Sequence, residues 1–147
     1  LKVIEFNSRF GDPESEVLLP RLNTPLAQLL FAAAKGDLSD YQTLDWKSDS
    51  AVTVVLASDG YPQNPKVSLP ITGIIKRDNS FIFHAGTKLD DGVLKSSGGR
   101  VLSVTGLGKD LTDARNLAYE VIGKINLTGS HFRTDIALKA SQGALGS

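Results

Sequence analysis

The sequence contains no cysteine and no methionine among its 147 residues. The absence of cysteine excludes a disulfide framework, a thiolate metal site and a thiol nucleophile. Neither sign of charge is in excess, because 16 Lys and Arg residues balance 16 Asp and Glu residues. A dedicated nucleic-acid-binding domain would carry a basic excess, so we expect no nucleic-acid partner. The longest apolar run, residues 25–34, is about half of the ~20 residues that span a bilayer, so we expect no membrane partner.

The first residue is Leu1 rather than an initiator methionine. We therefore expect the chain to be an excised, processed or proteolysed piece of a longer protein. Its hydrophobic and charged fractions, 41% and 22%, are ordinary for a globular protein. A chain of this length can bury about two-thirds of the surface that its unfolded form exposes. No signal peptide is visible, and a cytoplasmic protein is the expectation.

Apolar residues at helical spacing predict two amphipathic helices, over residues 25–35 and about 110–126. Thr24 is the expected N-cap of the first helix, and either Asp110 or Thr112 is the expected N-cap of the second. Short runs rich in β-branched and aromatic residues predict strands over residues 2–6, 51–57, 71–75, 81–84, 93–95, 100–105 and 132–138. The sum is a mixed α and β chain.

Turn signals refine this prediction at two places. Arg77 to Ser80 separates two predicted strands and favours a hairpin between residues 71–75 and 81–84. Gly106 and Gly108 follow the strand over 100–105 and are interpreted as its end. A dinucleotide-binding fingerprint at these glycines is rejected, because no parallel βαβ unit is predicted around them.

The first predicted strand carries the densest group of polar residues. Glu5, Asn7 and Arg9 share one face because strand residues alternate, and positions two apart lie ~6.5 Å apart along the strand. A carboxylate and an amide oxygen at that spacing can reach one hard cation such as Mg²⁺. Arg9 is placed to grip a phosphate or carboxylate in bidentate fashion. The alternative is an amphipathic strand with a solvated polar face.

A second candidate for anion binding is the run Gly98-Gly99-Arg100. Its backbone N–H groups and guanidinium would face a phosphate or carboxylate if the glycines adopt a nest conformation. The alternative is a strand entry eased by glycine, with Arg100 on the surface. The sequence leaves these two interpretations open.

The segment VIEFNSRFGDPE, residues 3–14, closely resembles the end of the ATP-grasp domain in the phosphoribosylamine–glycine ligase family, also called glycinamide ribonucleotide synthetases. Further family-like segments follow in the same order and at similar spacing: AVTVVLASDGYP (51–62), FHAGT (83–87), GGRVLSVTGLG (98–108) and RTDI (133–136). One departure is the short loop that begins with Gln63, where family members have a longer loop containing Lys and Gly.

The resemblance implies a reaction and a set of site residues. The family joins glycine to 5-phosphoribosylamine with ATP, through a glycyl phosphate, in de novo purine biosynthesis. The metal-binding Glu and Asn of its E-x-N motif map to Glu5 and Asn7, which would hold Mg²⁺ or Mn²⁺. By the resemblance, Arg9, Gly11, Asp12 and Pro13 are expected beside the substrate and phosphates. Arg100 is added to this set from the run Gly98-Gly99-Arg100. No residue of this chain is expected to be catalytic.

The resemblance also implies a fold and a division of the chain. Residues 1–45 are expected to end an ATP-grasp domain, and residues 46–147 to form a small, mainly antiparallel β C-terminal domain with a flanking helix, similar to a hybrid motif. The expected fold class is α+β. The partner would be the remaining N-terminal part of the enzyme, without which we expect the chain to be inactive. The alternatives are a non-catalytic binding or assembly module, and another ATP-grasp carboxylate–amine ligase.

Overall fold

The computed structural model describes residues 2–143 of the chain. Its elements, in chain order, are α1 (Ser15–Leu18), a 3-10 turn (Leu19–Arg21), α2 (Leu26–Lys35), β1 (Ser50–Ala57), β2 (Ser80–His84), β3 (Thr87–Asp90), β4 (Val93–Ser96), β5 (Arg100–Gly108), α3 (Leu111–Ile122) and α4 (Leu138–Ser141). Among these residues no helix is both long and apolar enough to cross a membrane. The predicted α+β class, with antiparallel pairing, is confirmed.

The strand β5 is the centre of the fold. It pairs antiparallel with β1 on one side and β2 on the other, giving the order β1-β5-β2, while β3 and β4 form a separate two-stranded hairpin. Side chains alternate between the two faces of a strand, so Leu102 and Val104 point to one face of the sheet and Ser103 and Thr105 to the other. All four are buried, so β5 is covered on both faces.

The helix α3 covers the face that carries Leu102 and Val104, and Ala118 and Ile122 on this helix are fully buried. The helix begins as predicted at Asp110, whose side chain accepts a hydrogen bond from the backbone N–H of Asp113 at 2.8 Å. This cap satisfies one of the backbone donors that a helix start leaves free.

Gly106 and Gly108 do not end the preceding strand, as the sequence had suggested, but belong to β5. A Cβ on Gly106 would lie 2.4 Å from the backbone oxygen of Ala114, and one on Gly108 would lie 2.4 Å from the nitrogen of the same residue. Neither position has room for a side chain. The glycines therefore bring the backbone of α3 directly onto the sheet.

The opposite face of the sheet carries α1 and the 3-10 turn. The Thr105 hydroxyl lies 2.9 Å from the backbone carbonyl oxygen of Glu16 and 2.9 Å from the Thr53 hydroxyl. The Lys47 ammonium donates to the Pro20 carbonyl at 2.8 Å. These contacts join the first 45 residues to the sheet through polar groups rather than through an apolar core.

Three predicted strands are not formed in residues 2–143. Residues 2–6 find no strand to pair with and lie exposed. Residues 71–75 do not pair with β2, and Thr72 in this segment instead forms an isolated antiparallel bridge with Asn126. Residues 132–138 are held by α3, where Arg115 donates to the carbonyl oxygens of Thr134 at 2.7 Å and Ile136 at 3.0 Å.

The observed ends of two helices also differ from the predicted ends. The helix predicted over 110–126 ends at Ile122, and Gly123 is its C-cap residue. Thr24 does not cap α2, because its hydroxyl accepts from the backbone N–H of Asp45 at 2.8 Å. Pro25, with extended backbone, is the N-cap residue instead.

Candidate functional site

The N-terminal segment and the start of α1 line a shallow groove of about 370 Å³. The groove brings together three of the predicted metal and substrate residues, Glu5, Asn7 and Arg9, with the turn that begins at Gly11. The remaining lining residues are Phe6, Phe10, Glu14, Ser15 and Leu18. Four of the seven sequence-predicted site residues therefore share one surface, although no strand forms there, and Asp12, Pro13 and Arg100 are absent from its lining.

Glu5 and Asn7 lie on the same side of the segment. The Asn7 amide nitrogen donates to the Glu5 carboxylate at 3.3 Å, and both residues are exposed. With the Asn7 amide turned so that its oxygen rather than its nitrogen faces Glu5, the two side chains would offer two oxygen ligands to a hard divalent cation that takes its other ligands from phosphate and water. Among residues 2–143 no group of three or more Asp, Glu, His or Cys side chains is placed to hold a metal ion, so this pair would supply only part of a coordination shell.

Arg9 lies beside this pair with its donors largely unused. One guanidinium nitrogen donates to the carbonyl oxygen of Phe10 at 3.0 Å, and the side chain is otherwise exposed. Five N–H donors on a planar group leave Arg9 able to bind an anionic ligand at the groove.

The turn after Arg9 leads directly into α1. The Gly11 carbonyl accepts from the backbone N–H of Ser15 at 2.9 Å and from its hydroxyl at 2.7 Å. The Asp12–Pro13 peptide bond is cis. Pro13 contributes no backbone N–H to the hydrogen bonds of this turn. The carboxylate of Asp12 projects from it toward the sheet.

Arg100 reaches this turn from the start of β5. Its guanidinium donates to the Asp12 carboxylate at 3.0 Å, although 88 residues separate the two in the chain. Neither Gly98 nor Gly99 has the positive φ that an αR–αL nest requires, so these glycines do not form an anion-binding nest. Their carbonyl oxygens accept from the side chain and the backbone of Ser58, at 2.9 and 2.8 Å. Of the run Gly98-Gly99-Arg100, only the guanidinium of Arg100 is therefore assigned to the candidate site, through its contact with Asp12.

Sequence reasoning missed Glu16, which lies in α1, four residues after Asp12. Burial against the sheet raises the pKa of the Glu16 carboxyl above its ordinary value. The Ser103 hydroxyl and the Arg100 charge lower this pKa in part, whereas the Asp12 charge raises it further. One carboxylate oxygen of Glu16 is buried without a hydrogen-bond partner in the described part of the chain. The i, i+4 spacing of Asp12 and Glu16 was the only signal available in the sequence.

A larger groove of about 470 Å³ lies elsewhere, along β2, between Ile74 and His84. It is lined mainly by apolar side chains such as Phe81 and Phe83. None of the predicted site residues contributes to it. Size alone therefore does not identify the functional surface, and the polar groove at Glu5 remains the candidate.

Comparisons with known proteins agree on one family. The sequence model described as "Phosphoribosylglycinamide synthetase, C domain" matches residues 51–139. A phosphoribosylamine–glycine ligase of Streptomyces coelicolor is 51% identical over 146 residues, covering 96% of this chain and 35% of the relative. The chloroplastic phosphoribosylamine–glycine ligase of Arabidopsis thaliana is 48% identical, with 95% of this chain and 27% of the relative covered.

The fold points to the same family. The crystal structure of phosphoribosylamine–glycine ligase from Thermotoga maritima superposes with a TM-score of 0.79 at 36% identity, covering 92% of this chain and 33% of that one. The chain spans roughly a third of the length of the curated relatives it matches. By sequence and by fold, the chain belongs to the phosphoribosylglycinamide synthetase family, whose members are named phosphoribosylamine–glycine ligases.

Proposed function

We propose that the chain is the part of a phosphoribosylamine–glycine ligase that completes its metal site and forms its C-terminal domain. The enzyme would join glycine to 5-phosphoribosylamine at the expense of ATP in de novo purine biosynthesis. The observation that carries this proposal is the 51% identity to a ligase of that name along 96% of the chain. The groove that gathers Glu5, Asn7 and Arg9 supports it.

We place the division of labour at about residue 45. Residues 1–45 would complete an ATP-grasp domain, and residues 46–147 would form the C-terminal domain. The family model, which matches from residue 51, and a core confined to Val52 and later residues both support this boundary. The remainder of the ligase would be the partner that brings ATP and glycine.

The reaction would proceed in two displacements. An oxygen of the glycine carboxylate attacks the γ-phosphorus of ATP, which gives glycyl phosphate and ADP. The amine of phosphoribosylamine then attacks the glycyl carbonyl carbon and releases phosphate, forming the amide bond. Phosphoryl transfer depends mainly on positioning and on electrostatic stabilisation. The tasks of this chain would therefore be to bind the metal ion and the phosphate groups and to orient the substrate.

Each site residue has a role in that scheme. Glu5 and Asn7 would hold Mg²⁺ or Mn²⁺, which neutralises the charge that develops on the phosphoryl oxygens. Arg9 would bind a phosphate oxygen with its free donors. Gly11, Asp12 and Pro13 would form the wall beside the substrate. Arg100 reaches this wall through its ion pair with Asp12.

The metal role is tested in the polypeptide encoded by the complete reading frame that contains this chain. Glu5→Ala combined with Asn7→Ala should lower glycine-dependent ADP release about 100-fold or more, because removing a stabilising group from a charge-developing transition state costs that much. The assay should contain phosphoribosylamine and a series of Mg²⁺ and Mn²⁺ concentrations, so that a weakened metal site appears as a higher metal requirement.

The matched control is Asp40→Ala combined with Gln42→Ala. This pair is also an exposed carboxylate and amide two residues apart, but it lies outside the groove. It should keep the parent rate. Parent-like turnover and metal dependence in the Glu5 and Asn7 variant would refute the metal role. The 147-residue chain alone should show no ligation, and any ATP-dependent ligation by it would contradict the proposed division of labour.

The same assay separates the alternatives. A non-catalytic module would show no ligase activity in the complete polypeptide, and another carboxylate–amine ligase would prefer an acid other than glycine. A cytoplasmic location remains a prediction, to be checked by fractionation, since the name of the Arabidopsis thaliana relative places that protein in the chloroplast.

A further inference from the structure

We propose that Arg100 is a positioning residue of the ligase: through Asp12 it holds the turn at residues 11–14 and thereby orients the segment that carries Glu5 and Asn7. This inference rests on the proposed function for its catalytic consequence. Its structural part, the restraint of the turn by Arg100, stands on the ion pair and can be tested in the chain itself.

An irregularity in the sheet directs Arg100 toward the turn. The pairing of β1 with β5 runs regularly to Leu56 opposite Leu102 and then shifts, so that Ala57 lies opposite Arg100. In a regular strand Arg100 would point to the same face as Leu102, into the side covered by α3. A bulge re-aims a side chain in this way. It accounts for the contact of Arg100 with Asp12 on the opposite side of the sheet.

The backbone of Arg100 is fixed, whereas the turn is not. The Arg100 carbonyl accepts from the backbone N–H of Gly86 at 2.9 Å, and the two residues before it are bonded to Ser58. A Cβ on Gly99 would lie 2.3 Å from the Tyr61 ring, so this stretch is also tightly packed. Asp12, by contrast, lies in an exposed turn. Arg100, held by the sheet, therefore restrains the turn at Asp12 rather than the reverse.

The ion pair between Arg100 and Asp12 is better suited to orient the turn than to stabilise the fold. Asp12 and Arg100 are 58% and 42% exposed, and ion pairs this open to water contribute little to folding. Glu16 adds a second carboxyl near the guanidinium, and its pKa responds to both partners. The ion pair joins the start of β5 to the turn that precedes α1, which is the task of a positioning residue.

The functional test is a double-mutant cycle in the ligase, with Arg100→Gln, Asp12→Asn and the combination. Each single variant should lower kcat about tenfold and raise the Mg²⁺ concentration that gives half-maximal rate, because small misplacements of reacting groups have large effects. The combination should be no worse than either single variant, since both remove the same pair. Arg100→Lys, which restores a charge, should recover most of the rate.

A direct role for Arg100 in binding phosphoribosylamine predicts a different pattern. The effects of Arg100→Gln and Asp12→Asn would then multiply, and the KM for phosphoribosylamine alone would rise. That result would overturn the proposal. The control is Lys66→Gln, which breaks another exposed ion pair, with Asp59 at 2.6 Å, far from the groove in the sequence and absent from its lining.

The structural test uses amide hydrogen exchange on the 147-residue chain and needs no activity. The Ser15 amide, which donates to Gly11, should exchange at least about threefold faster in Arg100→Gln than in the parent chain, and at the parent rate in Lys66→Gln and nearly so in Arg100→Lys. Unchanged exchange at Ser15 would refute the restraint. If the complete polypeptide lacks ligase activity but exchange responds, the proposed function fails while the restraint remains.

Discussion

The first 45 residues and the sheet unit that follows them, defined here as residues 46–143, differ in how far their side chains are buried. None of residues 2–45 is buried, whereas the buried hydrophobic residues all lie between Val52 and Leu127. Ile4 and Phe6 are 96% and 89% exposed, although both are large and apolar. The region with the candidate metal ligands thus has no core of its own, and the region with the core carries no candidate metal ligand.

This difference shows where the order in the candidate site comes from. A segment with few buried apolar contacts opens at low free energy unless other parts restrain it. In this chain the restraints are polar and come from the sheet unit, at Thr105, Lys47 and Arg100. The stable region therefore supports the region that carries the candidate site.

The sharpest test of the comparison removes one large side chain from each region. Ile122→Ala should lower the free energy of unfolding by about 2–5 kcal/mol, because Ile122 is fully buried in the core. Phe31→Ala on α2 should cost at most about 1 kcal/mol, because Phe31 is 62% exposed and the cation–π contact of its ring with the Lys35 ammonium, 4.3 Å from the ring centroid, lies at the surface.

Urea unfolding followed by circular dichroism measures both changes on one scale. Equal losses for the two variants would mean that α2 belongs to the same cooperative core as α3. The contrast between the two regions would then be lost.

A smaller effect is expected where the sheet meets α3. Gly106→Ala would place a Cβ 2.4 Å from the Ala114 carbonyl oxygen and 2.7 Å from the Ala118 nitrogen. Forcing the helix away should cost about 1–3 kcal/mol. The control, Gly36→Ala at the end of α2, has no atom within 4 Å of its Cβ and a φ of 76°, so it should cost only about 1 kcal/mol of backbone strain.

Thermal and urea unfolding of the two glycine variants give the comparison directly. A Gly106→Ala variant as stable as Gly36→Ala would show that α3 yields easily at this contact. In that case the sheet unit would be less rigid than its burial suggests.

Local sequence patterns predicted α2 in the first region and most elements of the sheet unit. The helix predicted over 25–35 is α2, and the strands predicted over 51–57, 81–84 and 100–105 correspond to β1, β2 and β5. Helical and strand periodicities are properties of neighbouring residues, so they can be read from the sequence. The partner of β2 could not be read from the sequence, because pairing with β5 joins residues about 20 positions apart. Residues 71–75 were the candidate partner nearer in the sequence.

The candidate site divides in the same way. The proximity of Glu5 and Asn7 follows from their spacing, and their 3.3 Å contact agrees with it. Their metal role stays a prediction. The contact between Asp12 and Arg100 depends on a bulge and on the packing of α1 against the sheet, neither of which has a local signal. The burial of Glu16 depends on the same packing, which is why the sequence did not reveal it.

The smallest predicted effect tests how the two regions meet at Glu16. Burial raises the pKa of the Glu16 carboxyl in the folded chain above the ordinary value of 4.5. The folded state therefore favours the neutral form, and the stability this provides is present below about pH 4.5 and is lost as the pH rises through the folded pKa. Glu16→Gln keeps the shape and is neutral at every pH, so it should stabilise the chain at pH 7 but not at pH 4.

The gain at pH 7 should be below about 1 kcal/mol, because the Glu16 side chain keeps access to water that screens its charge. Urea midpoints at pH 4 and pH 7 measure it, with Glu14→Gln as the control for removing one charge at an exposed position in the same turn. A Glu16→Gln variant that is less stable at pH 7 would show that the charged carboxylate is favoured where the first region meets the sheet. Arg100 would then bind Glu16 as well as Asp12, and the first region would be held by charge rather than by burial.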